Sequence, residues 1–299
     1  MGDTSGTQTP TGSGPDKKAK AGNKAAKKDV KILMLHGYTQ SGPLFRSKTR
    51  ALEKLLVKSL GPLNLSPTLI YPTAPNRLRP SDIPGFQPSP EDDEDNLTET
   101  DSWAWYRKDE ASGAYRFLDE GMLRVAESIK SALSSSSSSS SSSTPSSEDA
   151  AAPSTTTSEP IAGAIGFSQG GAMAAMLAAA MEERRPAPPG PEWDWVRAVR
   201  EANGGRPLRF AVIYSGFYAP PRELAWLYEP SRIGTPTLHF IGSLDTVVDE
   251  SRSQGLVARC EDPVVVVHPG GHHVPVSKEW VMPLVGFIKK VLVDDAARE

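Results

Sequence analysis

Along most of this chain, short continuous apolar runs alternate with longer stretches whose leucines recur every three or four residues. The first run, Lys31-Ile32-Leu33-Met34-Leu35, ends at His36-Gly37, which predicts a buried strand entering a loop. Leu52, Leu55, Leu56 and Leu60 follow at helical spacing and stop at Gly61-Pro62, so a helix is expected over 44–60. Thr68-Leu69-Ile70-Tyr71, closed by Pro72, is the next strand, and strand, helix and strand in this order predict a parallel βαβ start. Leu118, Met122, Val125, Ile129 and Leu133 share one face of a helix over 118–133. Further strands are expected at 161–165, 208–215, 237–241 and 264–267, the last three read as buried, and no internal repeat is present.

Polar segments interrupt this pattern. Residues 1–29 are Gly, Thr, Ser and Lys with almost nothing to bury, so they read as a disordered tail whose lysines solvate it or mark an import signal. One domain is expected over 30–293, broken by three insertions. The first, 76–101, carries prolines and the acidic block Glu91-Asp92-Asp93-Glu94-Asp95 and leaves the sheet as a lid or a plain solvated loop. The second, 134–160, opens with serine from Ser134 to Ser143 and reads as a flexible surface loop. The third, 184–207, is Pro-rich, contains Trp193 and Trp195, and has room for a short helix.

Composition narrows the function classes. With 299 residues and 38% hydrophobic content, the chain can bury one large α/β core with residues left over for tails. A net charge of −3 and a pI near 6.0 lack the basic footprint of a nucleic-acid binder and point to small-molecule partners. Cys260 stands alone, which excludes an intrachain disulfide and a cysteine-based metal site. No stretch approaches the ~20 apolar residues of a membrane span. The first residues lack an apolar signal core, and Met1-Gly2 is followed by Gly6 where myristoylation wants Ser or Thr. The expected location is the cytosol, with the nucleus as the second choice.

The chemistry concentrates at Gly166-Phe167-Ser168-Gln169-Gly170. An apolar strand precedes this segment and the helix formers Ala172-Met173-Ala174-Ala175-Met176-Leu177 follow it, the context of a nucleophile elbow that pushes a serine hydroxyl out above a sheet. Serine is a poor nucleophile near neutral pH, so a base and an orienting carboxylate must lie within reach. Both follow in the chain, Asp245 after the strand at 237–241 and His272 after the strand at 264–267, in loops at the carboxyl ends of parallel strands where sites of open sheets assemble. Asp249 is a rival acid, and His273 competes with His272. His239 is read as a core or edge histidine with satisfied nitrogens, His268 as a shaper of the acid–base loop, and His36 as a structural hydrogen-bonding residue. Acyl transfer also develops an oxyanion, for which two backbone N–H groups are expected from Gln169 and from the loop after the first strand, at Tyr38 or else Thr39.

These segments together resemble the fungal and eukaryotic family of serine hydrolases within the α/β-hydrolase superfamily, to which the ovarian-tumour-associated hydrolase and fungal polyketide-releasing thioesterases belong. The resemblance runs from Val30 to Val291 outside the insertions. It is carried by Leu35 to Gly42, Tyr71 to Pro75, Gly166 to Ala172, Ser215-Gly216-Phe217, Gly242 to Val248 and His268 to Pro275, with departures at Ser243 and Asp249. It implies an α/β-hydrolase fold, with a mostly parallel central sheet and helices on both faces. It also implies Ser168 as nucleophile, Asp245 as orienting acid, His272 as general base, and no cofactor. The expected substrate is an acyl ester, cleaved through an acyl-enzyme. Alternatives are a thioesterase taking an acyl or polyketide chain from a carrier protein, and a hydrolase-fold scaffold whose site is idle. Activity is expected to rise with pH as the base loses its proton.

Overall fold

A computed structural model of the chain describes residues 27–83, 101–137 and 158–294, together with Gly2 and Gly85. In chain order the elements are β1 (Lys28–Leu35), α1 (Gly42–Leu60), β2 (Leu65–Ile70), β3 (Asn76–Arg77), β4 (Trp103–Ala104), β5 (Arg107–Lys108), β6 (Tyr115–Arg116), α2 (Leu118–Ser137) and β7 (Ile161–Phe167). There follow α3 (Gln169–Met181), α4 (Asp194–Ala202), β8 (Phe210–Tyr214), β9 (Thr237–Gly242), α5 (Glu250–Val257), β10 (Val264–His268) and α6 (Lys278–Lys289). Six strands form one parallel sheet in the order β10-β9-β8-β7-β1-β2, while β3 with β4 and β5 with β6 make small antiparallel ribbons outside it.

The alternation of side chains along a strand sorts β1 onto two cores. Leu33 and Leu35 join one apolar layer with α2, α3 and α4; Val30, Ile32 and Met34 join the other with α1 and α6. Both faces of the central strands are therefore covered, which is why they read as continuous apolar runs. All of α3 is buried, and its Gly, Ala and Met content makes that possible, because small side chains let the helix backbone lie close to the sheet.

The sheet order puts β1 and β7 side by side although the chain leaves them in opposite directions, toward β2 from one and toward β8 from the other. Loops from their carboxyl ends diverge and open a crevice. Ser168 lies at one lip of this switch point and His36 to Gln40 at the other.

Several expectations need correction. The strand at 264–267 is not buried: β10 is an edge strand with β9 as its sole neighbour in the sheet, and Val264, Val265 and Val267 are 38–49% exposed. The first strand starts at Lys28, inside the segment read as tail, because β2 extends far enough to pair with Lys28 and Asp29. Helix α2 runs on through Ser137, with Ser134 and Ser135 hydroxyls donating back to the Lys130 and Ser131 carbonyls. The Pro-rich segment 184–207 supplies core: Trp195, Val196 and Val199 of α4 are buried, and Asn203 exchanges hydrogen bonds with the backbone of Ile161 at the start of β7. The acidic block at 91–95, most of the serine run and nearly all of the expected tail lie outside the described residues.

Candidate active site

Ser168 occupies a turn that the backbone adopts under strain. Its φ of 54° and ψ of −117° lie where a side chain is disfavoured, at an expected cost of about 1–3 kcal/mol. The Ser168 N–H donates to the Tyr214 carbonyl at 2.8 Å, and its carbonyl accepts from Ala172 N–H at 3.0 Å, so sheet and helix hold the turn from both sides. The flanking glycines serve close approach: a Cβ on Gly166 would stand 2.0 Å from the Gly170 carbonyl oxygen, and one on Gly170 would stand 2.1 Å from that of Leu35. The left-handed conformation therefore falls on the serine itself, while the glycines let β7, α3 and β1 close around it.

Ser168, His272 and Asp245 come together at the crevice. His272 Nε2 lies 3.0 Å from Ser168 Oγ, and His272 Nδ1 lies 2.8 Å from Asp245 Oδ2. Asp245 Oδ1 accepts from the Val247 and Val248 N–H groups, each at 2.9 Å, and the side chain is 2% exposed. Burial alone pushes the Asp245 carboxyl up, yet the bonds from His272 and Val248, the adjacent Ser215 and the bond from Val247 together outweigh it and hold the group below its ordinary value. In the neutral ring whose Nδ1–H meets this carboxylate, Nε2 is the acceptor that faces the Ser168 hydroxyl. Phe167 supports the imidazole, with ring centroids 4.7 Å apart.

The acid and base loops are tied to each other. Ser243 N–H donates to the His268 carbonyl at 2.9 Å and Leu244 N–H to that of Gly270 at 3.1 Å, and a Cβ on Gly242 would stand 2.5 Å from Gly270 O. The rivals point elsewhere. Asp249 caps α5 by accepting from Ser251 N–H at 2.8 Å, and exposed His273 faces His268 across 5.3 Å between ring centroids.

Tyr38 and Gln169 are the residues expected to supply N–H groups to an oxyanion. Tyr38 and Gln169 both line a cavity of about 560 Å³ that includes Ser168, and among the described residues neither N–H has an internal acceptor. Thr39 is excluded, since its N–H donates to the Trp103 carbonyl at 3.0 Å.

His36 is buried and clamps two loops: Nδ1 donates to the Gly37 carbonyl at 2.8 Å and Nε2 accepts from Ala74 N–H at 3.0 Å. Burial brings its pKa down to about 4. His239 is likewise brought down to about 4 by burial, but its Nε2 lacks a partner, contrary to the expectation of satisfied nitrogens. Buried His268 stands at the end of β10, where its backbone holds the acid loop.

Some residues of the site were not anticipated. The Gln169 side chain accepts from Trp105 N–H and donates to the Tyr106 carbonyl, each at 2.8 Å, and the Trp105 indole donates to the His36 carbonyl at 2.9 Å. The ribbon strands β4 and β5 are thereby fastened to the serine turn. Ser215 adopts a positive φ of 46° beside Asp245. It belongs to Ser215-Gly216-Phe217, a segment that carried the family resemblance without a role assigned to the serine, whereas nothing near Trp105 distinguished it in sequence. Among the described residues, no group of three or more His, Cys, Asp or Glu is placed to hold a metal ion, and no helix is long and apolar enough to cross a membrane.

A parallel sheet with helices on both faces and its serine on a strained strand-to-helix turn defines an α/β-hydrolase. The crystal structure of Zea mays acyl-protein thioesterase 2 shares this fold, with a TM-score of 0.50 and 20% identity over 90% of this chain and 96% of that one. A family model described as serine hydrolase (FSH1) matches residues 26–284, and the chain belongs to that family. Among its relatives, Family of serine hydrolases 2 of Saccharomyces cerevisiae is 29% identical, covering 87% of this chain and 95% of its own length. Esterase OVCA2 of Danio rerio is 26% identical over 87% of this chain and 97% of its own. The protein is a hydrolytic enzyme acting on esters.

Proposed function

We propose that the protein hydrolyses carboxylic esters of acyl groups through an acyl-enzyme. The reading rests on the hydrogen-bonded line from Asp245 through His272 to Ser168, at 2.8 and 3.0 Å, on a serine held at φ 54°. Ser168 Oγ attacks the ester carbonyl while His272 Nε2 takes its proton. The N–H groups of Tyr38 and Gln169 receive the negative charge that develops on the carbonyl oxygen. His272 then returns the proton to the leaving alcohol, and the ester bond breaks. Water, deprotonated by the same nitrogen, attacks the acyl-serine, and the acyl–Oγ bond breaks as His272 returns that proton to Ser168, releasing the acid. Asp245 holds the Nδ1 proton and stabilises the imidazolium between steps. A thioester differs in its leaving group alone, so the same groups serve a carrier-bound acyl chain.

Labelling by a fluorophosphonate probe tests the reading. Wild type is expected to react and Ser168→Ala to be silent, with turnover of 4-nitrophenyl esters lost in parallel. Equal labelling of the two proteins overturns Ser168 as nucleophile, and a folded wild type that takes no label overturns the activated site.

A further inference from the structure

The cavity in front of Ser168 carries more charge than an ester needs. Phe217 and Val248 give it an apolar side, Tyr106 and Tyr115 a phenolic one, and three cations line it. Arg107 pairs with Asp82 at 3.2 Å and Lys108 with Glu110 at 3.3 Å. Arg252 remains: among the described residues it has no ion pair, and its guanidinium donates no hydrogen bond. The carboxylate one turn earlier on the chain, Asp249, is engaged at the start of α5 and reaches Arg252 electrostatically without a contact.

Arg252 is not loose in solvent. Its guanidinium carbon lies 4.3 Å from the centroid of the Phe217 ring, whose face restrains the plane of the group. Tyr115, half-buried and stacked on buried Tyr106 at 4.1 Å, lies within the same electrostatic field. A planar fork of N–H donors is thus positioned in the reaction cavity with no acceptor of its own. Such a fork matches the paired oxygens of a carboxylate or phosphate.

We infer that the cavity selects esters bearing a second, anionic group, which Arg252 binds while Ser168 takes the ester carbonyl. The inference rests on Ser168 being the nucleophile. A carboxylate at the far end of the acyl chain and a phosphate on the leaving group present the same chemistry to Arg252, and two substrate pairs separate them. The first pair is mono-4-nitrophenyl adipate against 4-nitrophenyl hexanoate. The second is S-hexanoyl-4′-phosphopantetheine against S-hexanoyl-pantetheine.

For wild type, kcat/KM is expected to favour the anionic member of one pair by about tenfold to a hundredfold, the range of a charge-assisted hydrogen bond. Added salt should erode the preference. In Arg252→Gln the ratio is expected to fall toward one, chiefly through KM, and Arg252→Lys should restore part of it. The side chain is on the surface, so both variants are expected to fold. Hydrolysis of the neutral esters without preference in either pair overturns the anion site alone, as does a preference that survives Arg252→Gln. Absence of turnover for all four substrates, with no fluorophosphonate labelling, overturns the Ser168 reading and this inference with it.

Discussion

Asparagine at position 245 keeps the shape of the side chain and reverses one hydrogen bond. Asp245 Oδ1 accepts from two backbone N–H groups at 2.9 Å, and Oδ2 faces His272 Nδ1 at 2.8 Å. An asparagine amide has one acceptor oxygen, which must go to Val247 and Val248, so its NH₂ is turned toward His272. The ring responds by moving its proton to Nε2 and presents N–H to a serine oxygen 3.0 Å away. In that tautomer it cannot accept the serine's proton. The flipped amide would leave two buried N–H groups unpaired at about 1–3 kcal/mol each, so it offers little escape. The same change in serine proteases costs about 10⁴-fold in kcat, or about 5.5 kcal/mol of transition-state stabilisation. A loss of about 10³- to 10⁴-fold is expected here for Asp245→Asn, read as kcat/KM on a 4-nitrophenyl ester at pH 8 with Tm measured in parallel. The carboxyl is held low in the fold, so its stabilising charge is present above its ordinary titration range and is lost as pH falls through the folded value. The Tm gap between variant and wild type should therefore close in acid. An Asp245→Asn protein that folds and keeps activity within tenfold of wild type would refute this reasoning.

Acid should unfold the protein through two histidines. His36 and His239 are both brought to about 4 by burial, so the unfolded chain binds their protons from about pH 6.5 downward and the folded one does not. Stability is complete above that window and is lost toward pH 4 by about 3 kcal/mol per histidine, and His239→Leu should roughly halve the slope of Tm against pH. An unchanged slope would exclude His239 as a source. Gly170→Ala puts a methyl 2.1 Å from the Leu35 oxygen and 2.5 Å from that of His36, so urea denaturation should show a loss of about 3 kcal/mol; an unshifted midpoint contradicts the close approach. Gln169→Leu leaves the Trp105 N–H and the Tyr106 carbonyl without partners at about 1–3 kcal/mol each, and kcat should fall while fluorophosphonate labelling persists. Undiminished kcat would mean that the segment joining β4 to β5 does not position the reaction.

Much of the fold was legible because its central strands are buried on both faces and must be apolar throughout, a pattern that survives without any neighbour in view. All six sheet strands, the helices expected at 44–60 and 118–133, and the loops carrying Ser168, Asp245 and His272 follow from local runs and their terminators. Burial of a whole strand was less legible. Val264 to Val267 are as apolar as the central strands, yet nothing in four valines says whether a seventh strand or a helix covers them.

Choice among neighbours belonged to tertiary structure. Asp249 and His273 carry the same chemistry as Asp245 and His272; loop direction alone separates them, set by Gly242 against Gly270 and by the bonds from Ser243 and Leu244. The tie between Gln169 and Trp105 spans 64 residues, and Arg252 enters the cavity because α5 starts where the acid loop ends. By itself, the amino-acid order determined which residue types could do chemistry and at which strand ends they emerge, since turn and strand preferences act over a few residues. Packing decided which of them meet, because hydrogen bonds and charges act over a few ångströms that only the folded chain brings within reach.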